Sequence, residues 1–326
     1  MTVPQVSVIT IGRNEGERLS RCLSSVRAMD FPQDRLELIY VDSHSHDDSL
    51  RQAIEHGAQT LMLSPGPPTA ARARNEGSRL ARGEFLLFLD GDTIVAPRFL
   101  ANALSYLKDH VDTAVYFGHR RELHPEHSLY NRIFDLEWRF PCGEYPHFGG
   151  DFVIRSKVFQ DIGGFRDDVI AGEDAELSSR IRAAGYKLWH ADELMTQHDI
   201  AITSFSAYWL RCYRGGHAFA QVADRTNGDQ FQRESTKNYV QTAVYLTTPL
   251  ALVLLLGMRG LWVSVIAFAL LIFRATWRNR WRKASLATTL LYALHVHLCQ
   301  FPISLGQLSY LRNRRHKRLS AIIEYK

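Results

Sequence analysis

Hydrophobic positions in the first half of the chain follow two alternating rhythms. Short runs rich in β-branched residues, at 6–11, 36–41 and 59–63, are separated by stretches with helical spacing, in the first of which Leu19, Cys22, Leu23 and Val26 fall on one face. This alternation predicts an α/β domain with a largely parallel sheet. A Pro/Gly turn at 64–68 and an Ala/Arg-rich helix lead to 84–89, a continuous apolar run of the kind seen in a strand buried on both faces. Such sheets bind ligands beyond the carboxyl ends of their strands, which singles out Asp42 and Asp90, each directly after an apolar run. Pro97 reads as the first residue of a helix that carries Phe99, Leu100, Ala103, Leu104 and Leu107 inward. Residues 119–146 are aromatic, charged and without periodicity. Order returns with a strand at 151–155, a short helix ending at Gly163-Gly164, a helix from about 173 to 184 stopped by Gly185, and a strand at 186–190.

The second half has a different texture. The polar stretch 226–238 reads as a linker, and beyond it 240–256 and 261–273 are strongly apolar runs of 17 and 13 residues separated by Gly257-Met258-Arg259-Gly260. Both fall short of the ~20 residues of an ordinary membrane-spanning helix, so a tight hairpin that thins or dips into the bilayer is expected. A third apolar segment, 284–311, contains His295, His297, Gln300, Pro302 and Gln307, a polarity that suits an interfacial or re-entrant element. A soluble helical bundle is the alternative. Against it stands 277–283, Trp-Arg-Asn-Arg-Trp-Arg-Lys, which sets interfacial aromatics and cations directly after the hairpin. The positive-inside rule then places 274–283 and 312–318 in the cytoplasm, with an even number of crossings.

Charge sharpens this division. From Tyr239 onward there are twelve Lys/Arg and one acid, Glu324, a net +11, whereas residues 1–238 carry 27 basic and 33 acidic side chains, a net −6. An acidic body with a basic, apolar end argues for a partner in anionic membrane lipid and against nucleic acid. Cys22, Cys142, Cys212 and Cys299 form no CxxC pair, so neither a zinc knuckle nor a disulfide framework is expected. The first residues show no secretory-signal pattern.

The strongest chemical signal is Leu89-Asp90-Gly91-Asp92 at the end of the buried run, because two carboxylates one residue apart can share a divalent cation that also grips a diphosphate. The order of elements around it resembles glycosyltransferase family 2, with its GT-A nucleotide-sugar-binding fold. Five ordered segments carry the resemblance: 6–15 (VSVITIGRNE), 36–43 (LELIYVDS), 73–77 (ARNEG) with 81–84 (ARGE), 88–92 (FLDGD), and Gly163-Gly164-Phe165 with Gly172-Glu173-Asp174. They cover roughly residues 5–200. The chain departs from many relatives in having Ile11-Gly12 in place of Pro-Thr and Ser43 in place of a second acid.

The resemblance implies roles for particular residues. Ile11, Arg13 and Glu15 of the first-strand motif would face the nucleotide sugar, Asp42 would accept a hydrogen bond from the base, and Arg74 would lie near the phosphates, with Asp90 and Gly91 beside them. Asp92, with Asp90 directly or through water, would hold Mn²⁺ or Mg²⁺, and His198 falls where some relatives carry a histidine close to the metal. The metal would neutralise charge on the leaving nucleotide. Asp174, paired with Glu173, stands where the family keeps its catalytic base, and one base with direct displacement inverts the anomeric configuration. Gly149-Gly150-Asp151 would shape the sugar or acceptor pocket, and Trp209, Arg211, Tyr213 and Arg214 would suit a lipid-phosphate surface.

The expected protein is an inverting transferase using a nucleotide-diphosphate sugar, a UDP-sugar in this reading, and a lipid-linked saccharide acceptor for surface polysaccharide, at the cytoplasmic side of a cell inner membrane. Its layout would be a catalytic domain over 1–225, the linker 226–238, a hydrophobic helical membrane region over 239–311 and a basic tail over 312–326. A polyprenyl-phosphate sugar synthase is the alternative within the class, and an inactive membrane scaffold the alternative outside it. Gly12-Arg13-Asn14-Glu15-Gly16 does not supply the GxGxxG turn of a dehydrogenase or a nucleotidyltransferase phosphate loop.

Overall fold

The strands and helices of the first half assemble as β1 (Val6–Gly12), α1 (Glu17–Arg27), β2 (Leu36–Asp42), α2 (Ser49–Glu55), β3 (Gln59–Met62), α3 (Ala70–Leu80), β4 (Phe85–Asp90), β5 (Thr93–Val95), α4 (Phe99–Asp109) and β6 (Thr113–Glu122) in a computed structural model that describes residues 3–318. After α5 (Leu129–Glu137) come β7 (Gly143–Glu144), β8 (Phe152–Arg155), α6 (Ser156–Asp161), α7 (Glu173–Ala183) and β9 (Lys187–His198). The helices α8 (Phe205–Arg225), α9 (Gln232–Leu256), α10 (Met258–Asn279), α11 (Leu286–Leu298) and α12 (Gln300–Arg315) follow.

The chain divides into two units, Met1–His124 with Trp138–Ile200, and Pro125–Glu137 with Ala201–Lys326. In the first, one sheet runs in the order β3-β2-β1-β4-β8-β6-β9-β5, with β7 also on β9. Pairing is parallel from β3 to β4 and between β6 and β9, and antiparallel at β4–β8, β8–β6, β9–β5 and β9–β7. This is the mixed sheet of a GT-A-type fold. The α1 face expected from spacing is the one that is buried. Phe88 anchors the core, with the rings of Phe152, Phe159 and Phe165 centred 5.0–5.7 Å from its own. Gly77 lets α3 lie close on the sheet, since a Cβ there would come within 2.6 Å of the Ile9 side chain.

Register fixes the ends of the strands. Ile11 of β1 is opposite Asp90 of β4, and Gly12 is opposite Asp42 of β2, so both aspartates close their strands at one edge of the sheet. The expected strand at 186–190 continues to His198, because residues 113–122 form β6 and pair with it along its length. Part of the apparently irregular 119–146 is therefore sheet, and 129–137 is helix.

In the second unit, α8 and α12 touch through Gly216 and Gly306: a Cβ on either would strike a backbone carbonyl of the facing helix, Ile303 O or Tyr213 O. Small residues at a helix crossing are typical of packing in membranes. Three helical stretches, Gln232–Leu256, Met258–Arg282 and Leu286–Arg315, are long and apolar enough to cross a bilayer. The first two bury almost none of their apolar windows and expose Leu254, Leu255, Trp262, Ile266 and Leu270 among many others.

Several expectations change here. Residues 232–238 are not linker but the first two turns of α9, where Ser235 and Asn238 are buried and their carbonyls accept hydrogen bonds from Gln307 (3.0 Å) and Ser304 (3.2 Å) of α12. Their polarity serves helix pairing. The runs at 240–256 and 261–273 sit in longer helices, because flanking polar and cationic residues continue the same backbone. The segment 284–311 is two helices meeting at Cys299, and α12 carries Arg312, Arg314 and Arg315 of the expected tail, Arg314 pairing with Asp224 at 2.8 Å. Residues 319–326 of that tail lie outside the described residues. The first unit ends near Ile200, whereas α8 packs on α12 in the second unit, which α5 joins through Ile133 and Leu136, clustered with Tyr292.

Candidate functional site

At the carboxyl ends of β1 and β4 the chain turns sharply, and each turn is pinned. Gly91 N–H donates to Ile11 O at 2.8 Å, Thr93 hydroxyl to Asp90 O at 2.8 Å, and Asp90 N–H to a carboxylate oxygen of Asp151 at 3.0 Å. Thr93 of β5 is opposite His198 of β9, which carries His198 alongside Asp92. His198 Nε2 lies 3.3 Å from Asp92 Oδ1. One donor atom each from Asp90, Asp92 and His198 comes within 4.8 Å of the others. Two carboxylates and an imidazole at such separations suit a hard or borderline divalent cation. The Trp138 ring meets His198 edge-on, with centroids 5.0 Å apart.

Behind this cluster runs a chain of charge. Arg74 of α3 is buried, with Nη1 2.6 Å from Glu173 and Nη2 2.6 Å from Asp90 Oδ1. The other Asp90 oxygen is 3.1 Å from Arg120 of β6, and Arg120 also lies 2.7 Å from the fully buried Asp151, which accepts a 2.7 Å bond from Thr196. Burial pushes the Asp90 carboxyl up, but Arg74 and Arg120 outweigh it and hold it below the usual range; for Asp151 burial wins. Gly150 completes the packing, since a Cβ there would stand 2.8 Å from both Asp90 Oδ2 and Arg74 Nη2.

Glu173 and Asp174 open α7 behind Gly172, whose φ of 78° is left-handed. Glu173 is committed to Arg74, whereas Asp174 is half-buried and accepts the Ala175 N–H at 2.8 Å. Burial, and then repulsion from Glu173, raise the Asp174 carboxyl to about 7 against the opposing pull of that N–H, Arg74 and Arg120. Asn75, next to Arg74, bonds both backbone groups of Phe165 (2.8 and 2.9 Å), so the ARNEG and GGF segments form one joint.

The remaining expected residues are placed differently. Asp42 is fully buried, one oxygen accepting Tyr40 hydroxyl (3.0 Å) and the other Ser45 N–H (2.8 Å), so it offers no surface to a base in this structure. Arg74 is likewise interior. Arg13 is exposed, and Glu15 pairs with Arg18 at 3.0 Å. Ile11 and Gly91 contribute backbone to the β4 turn. Arg120, Trp138 and Thr196 are the neighbours that sequence reasoning missed; paired arginines at 120–121 within an aromatic, β-branched stretch were the available sign.

Residues 7–165 match the family model for glycosyl transferase family 2. Over 206 residues the chain is 25% identical to glycosyltransferase AglE of Haloferax volcanii, spanning 60% of this chain and 67% of that protein. Over 109 residues it is 31% identical to the poly(ribitol-phosphate) β-N-acetylglucosaminyltransferase TarP of Staphylococcus aureus, spanning 32% of this chain and only 33% of that one. The fold is similar to that of the mannosyltransferase PcManGT from Pyrobaculum calidifontis, solved with GDP-Man and Mn²⁺, with a TM-score of 0.61 and 19% identity over 96% of this chain and 89% of that one.

Proposed function

This chain belongs to glycosyltransferase family 2, and we propose that it transfers a sugar, with inversion, from a nucleotide-diphosphate donor to a lipid-linked saccharide at a membrane surface. The observation that carries the donor half of this reading is the convergence of Asp90, Asp92 and His198 beyond the end of β4. Asp92 and His198 would hold a divalent cation directly. Asp90, shared between two arginines, would complete its surroundings directly or through water. When bound, the cation would supply positive charge against the donor diphosphate. The complex of PcManGT with GDP-Man and Mn²⁺ supports this use of the site.

Asp174 is the general base in this reading, accepting the proton of the attacking hydroxyl. A carboxyl near 7 is well matched to proton abstraction at neutral pH. Arg74 and Arg120 are positioning residues, which fix Glu173, Asp90 and Asp151 so that the reactive carboxylates keep their separation. We take the donor to be a UDP-sugar and the protein to sit at the cytoplasmic face of an inner membrane, held by α9–α12, in surface-polysaccharide synthesis. The decisive experiment is a hydrolysis screen of UDP- and GDP-sugars with Mn²⁺ and with Mg²⁺. Turnover of a UDP-sugar with either ion supports the reading, turnover of GDP-sugars alone overturns the choice of nucleotide, and no turnover with any donor overturns the whole.

A further inference from the structure

Where β6 and β9 run side by side, their register slips. Phe117 is opposite His190 and His119 is opposite Leu194, so residues 191–193 of β9 bulge against Gly118 alone. Gly118 leaves room for the bulge, since a Cβ there would come 2.7 Å from Glu193 O. The Glu193 side chain is held by Asn102 (2.6 Å) and Tyr116 (2.5 Å), and the bulge carries Asp192 out to His119, whose Nε2 lies 3.0 Å from Asp192 Oδ1. Bulges re-aim side chains and are enriched beside functional sites.

A third donor reaches the same place from the segment before β7. Cys142 Sγ lies 3.7 Å from His119 Nε2, and one ligand atom each from His119, Cys142 and Asp192 falls within 4.8 Å of the others. Both neighbours of Cys142 are tied to His190, whose Nδ1 bonds Pro141 O at 2.8 Å and whose backbone pairs with Gly143. The bond to a carbonyl puts the ring proton on Nδ1. Nε2 makes no hydrogen bond, although His190 is only 1% exposed, and its ring meets His119 edge-on with centroids 4.8 Å apart. A buried polar atom left without a partner is uncommon, and here it stands next to a cluster of donors.

Donor types and spacing point to one ion. A thiolate beside an imidazole selects zinc over Mg²⁺ or Mn²⁺, which favour oxygen. Tetrahedral zinc, with bonds of about 2.0–2.1 Å to nitrogen and oxygen and about 2.3 Å to sulfur, would set its ligands about 3.3 Å (N···O) and about 3.6 Å (N···S) apart. The observed 3.0 and 3.7 Å therefore need shifts of only a few tenths of an ångström.

We propose that His119, Cys142 and Asp192 form a second metal site, selective for zinc and separate from Asp90, Asp92 and His198, which clips the segment before β7 to β6 and β9. The three protein donors leave a fourth position for water. The proposal stands independently of the transferase reading.

The test titrates reduced, metal-free, full-length protein in detergent with Co²⁺, a spectroscopic stand-in for zinc. The proposal expects a sulfur-to-cobalt charge-transfer band, which a ligand set of carboxylates and an imidazole cannot give. One equivalent of Zn²⁺ should displace it, and Asp92→Asn should retain it. Cys142→Ser should abolish the band. His119→Gln and Asp192→Asn should each weaken zinc binding, read by competition with a chromogenic chelator, by more than the roughly ten- to hundred-fold that loss of an outer partner costs. None of the three side chains is in the core, so each variant should keep the wild-type far-ultraviolet circular dichroism. Absence of the band, or its survival in Cys142→Ser, would overturn the proposal. Wild-type zinc affinity in either His119→Gln or Asp192→Asn would do the same, because the thiol would then bind without the cluster. Loss of the band in Asp92→Asn would assign the cobalt to the first site and overturn the claim of a second.

Discussion

Arg74 and Glu173 form a buried 2.6 Å ion pair between α3 and the start of α7, and this contact separates the roles of two adjacent acids. Glu173 is held in place by its ion pair; Asp174 is left with a raised carboxyl. Replacing Arg74 with Met should leave the Glu173 carboxylate buried without its cation, at a cost of about 3 kcal/mol. Denaturant unfolding of Arg74→Met and of Arg74→Met/Glu173→Gln checks this. The double variant should recover much of the loss, and equal stability of the two would refute the pairing argument.

Asp174→Asn should lower transfer to acceptor by ~10², the scale of losing a general base, while nucleotide affinity changes only a few-fold. Unchanged transfer would remove Asp174 from the mechanism and favour a lipid phosphate as acceptor, which needs no strong base.

The pH profile has a definite sign. As the proposed base, Asp174 must be ionised to accept a proton, and burial, then Glu173 beside it, raise its carboxyl to about 7 against Arg74 and Arg120, so kcat for transfer should fall as pH drops through about 7. The same shift makes the folded state bind more protons than the unfolded one between the ordinary carboxyl range and about 7, so this group's contribution to stability declines as pH rises across that window. A rate that stays flat down to pH 5 would contradict the assignment.

Gly150 touches the site through the space its missing side chain leaves. Gly150→Ala should push Asp90 and Arg74 apart and weaken Mn²⁺-dependent donor hydrolysis about ten-fold, with little change in the far-ultraviolet circular dichroism. Wild-type metal dependence in this variant would show that Asp90 tolerates displacement.

Much of the candidate site's placement was legible because its residues lie in short, ordered segments: strand ends announce the positions of Asp42 and Asp90, and spacing announces the α1 face and the Asp90-Gly91-Asp92 turn. Arg120 and Thr196 were not, because they meet Asp90 and Asp151 only through the pairing of β6 with β9, a contact between residues far apart in sequence. Asp42 and Arg74 were singled out from the sequence, but their burial could not be read locally. Polarity misled at 232–238, where buried hydrogen bonds between helices have the same composition as a solvated linker.

Membrane attachment should depend on apolar contact more than on charge. Each Lys/Arg near anionic lipid contributes about 1 kcal/mol, whereas each buried large apolar side chain contributes ~1.5–3 kcal/mol, and α9 and α10 expose many. High salt should therefore leave the protein in the membrane fraction and detergent should release it; extraction by salt alone would assign these helices to a soluble bundle.

The central claim, that Asp90, Asp92 and His198 form the metal site of a nucleotide-sugar transferase, is tested most directly by donor hydrolysis in the presence and absence of divalent ion, with Asp92→Asn alongside. An amide cannot offer the cation an anionic oxygen. The account predicts that hydrolysis disappears in excess chelator, returns with Mn²⁺ or Mg²⁺, and is lost in Asp92→Asn at any metal concentration. Full activity in chelator, or in Asp92→Asn, would contradict it.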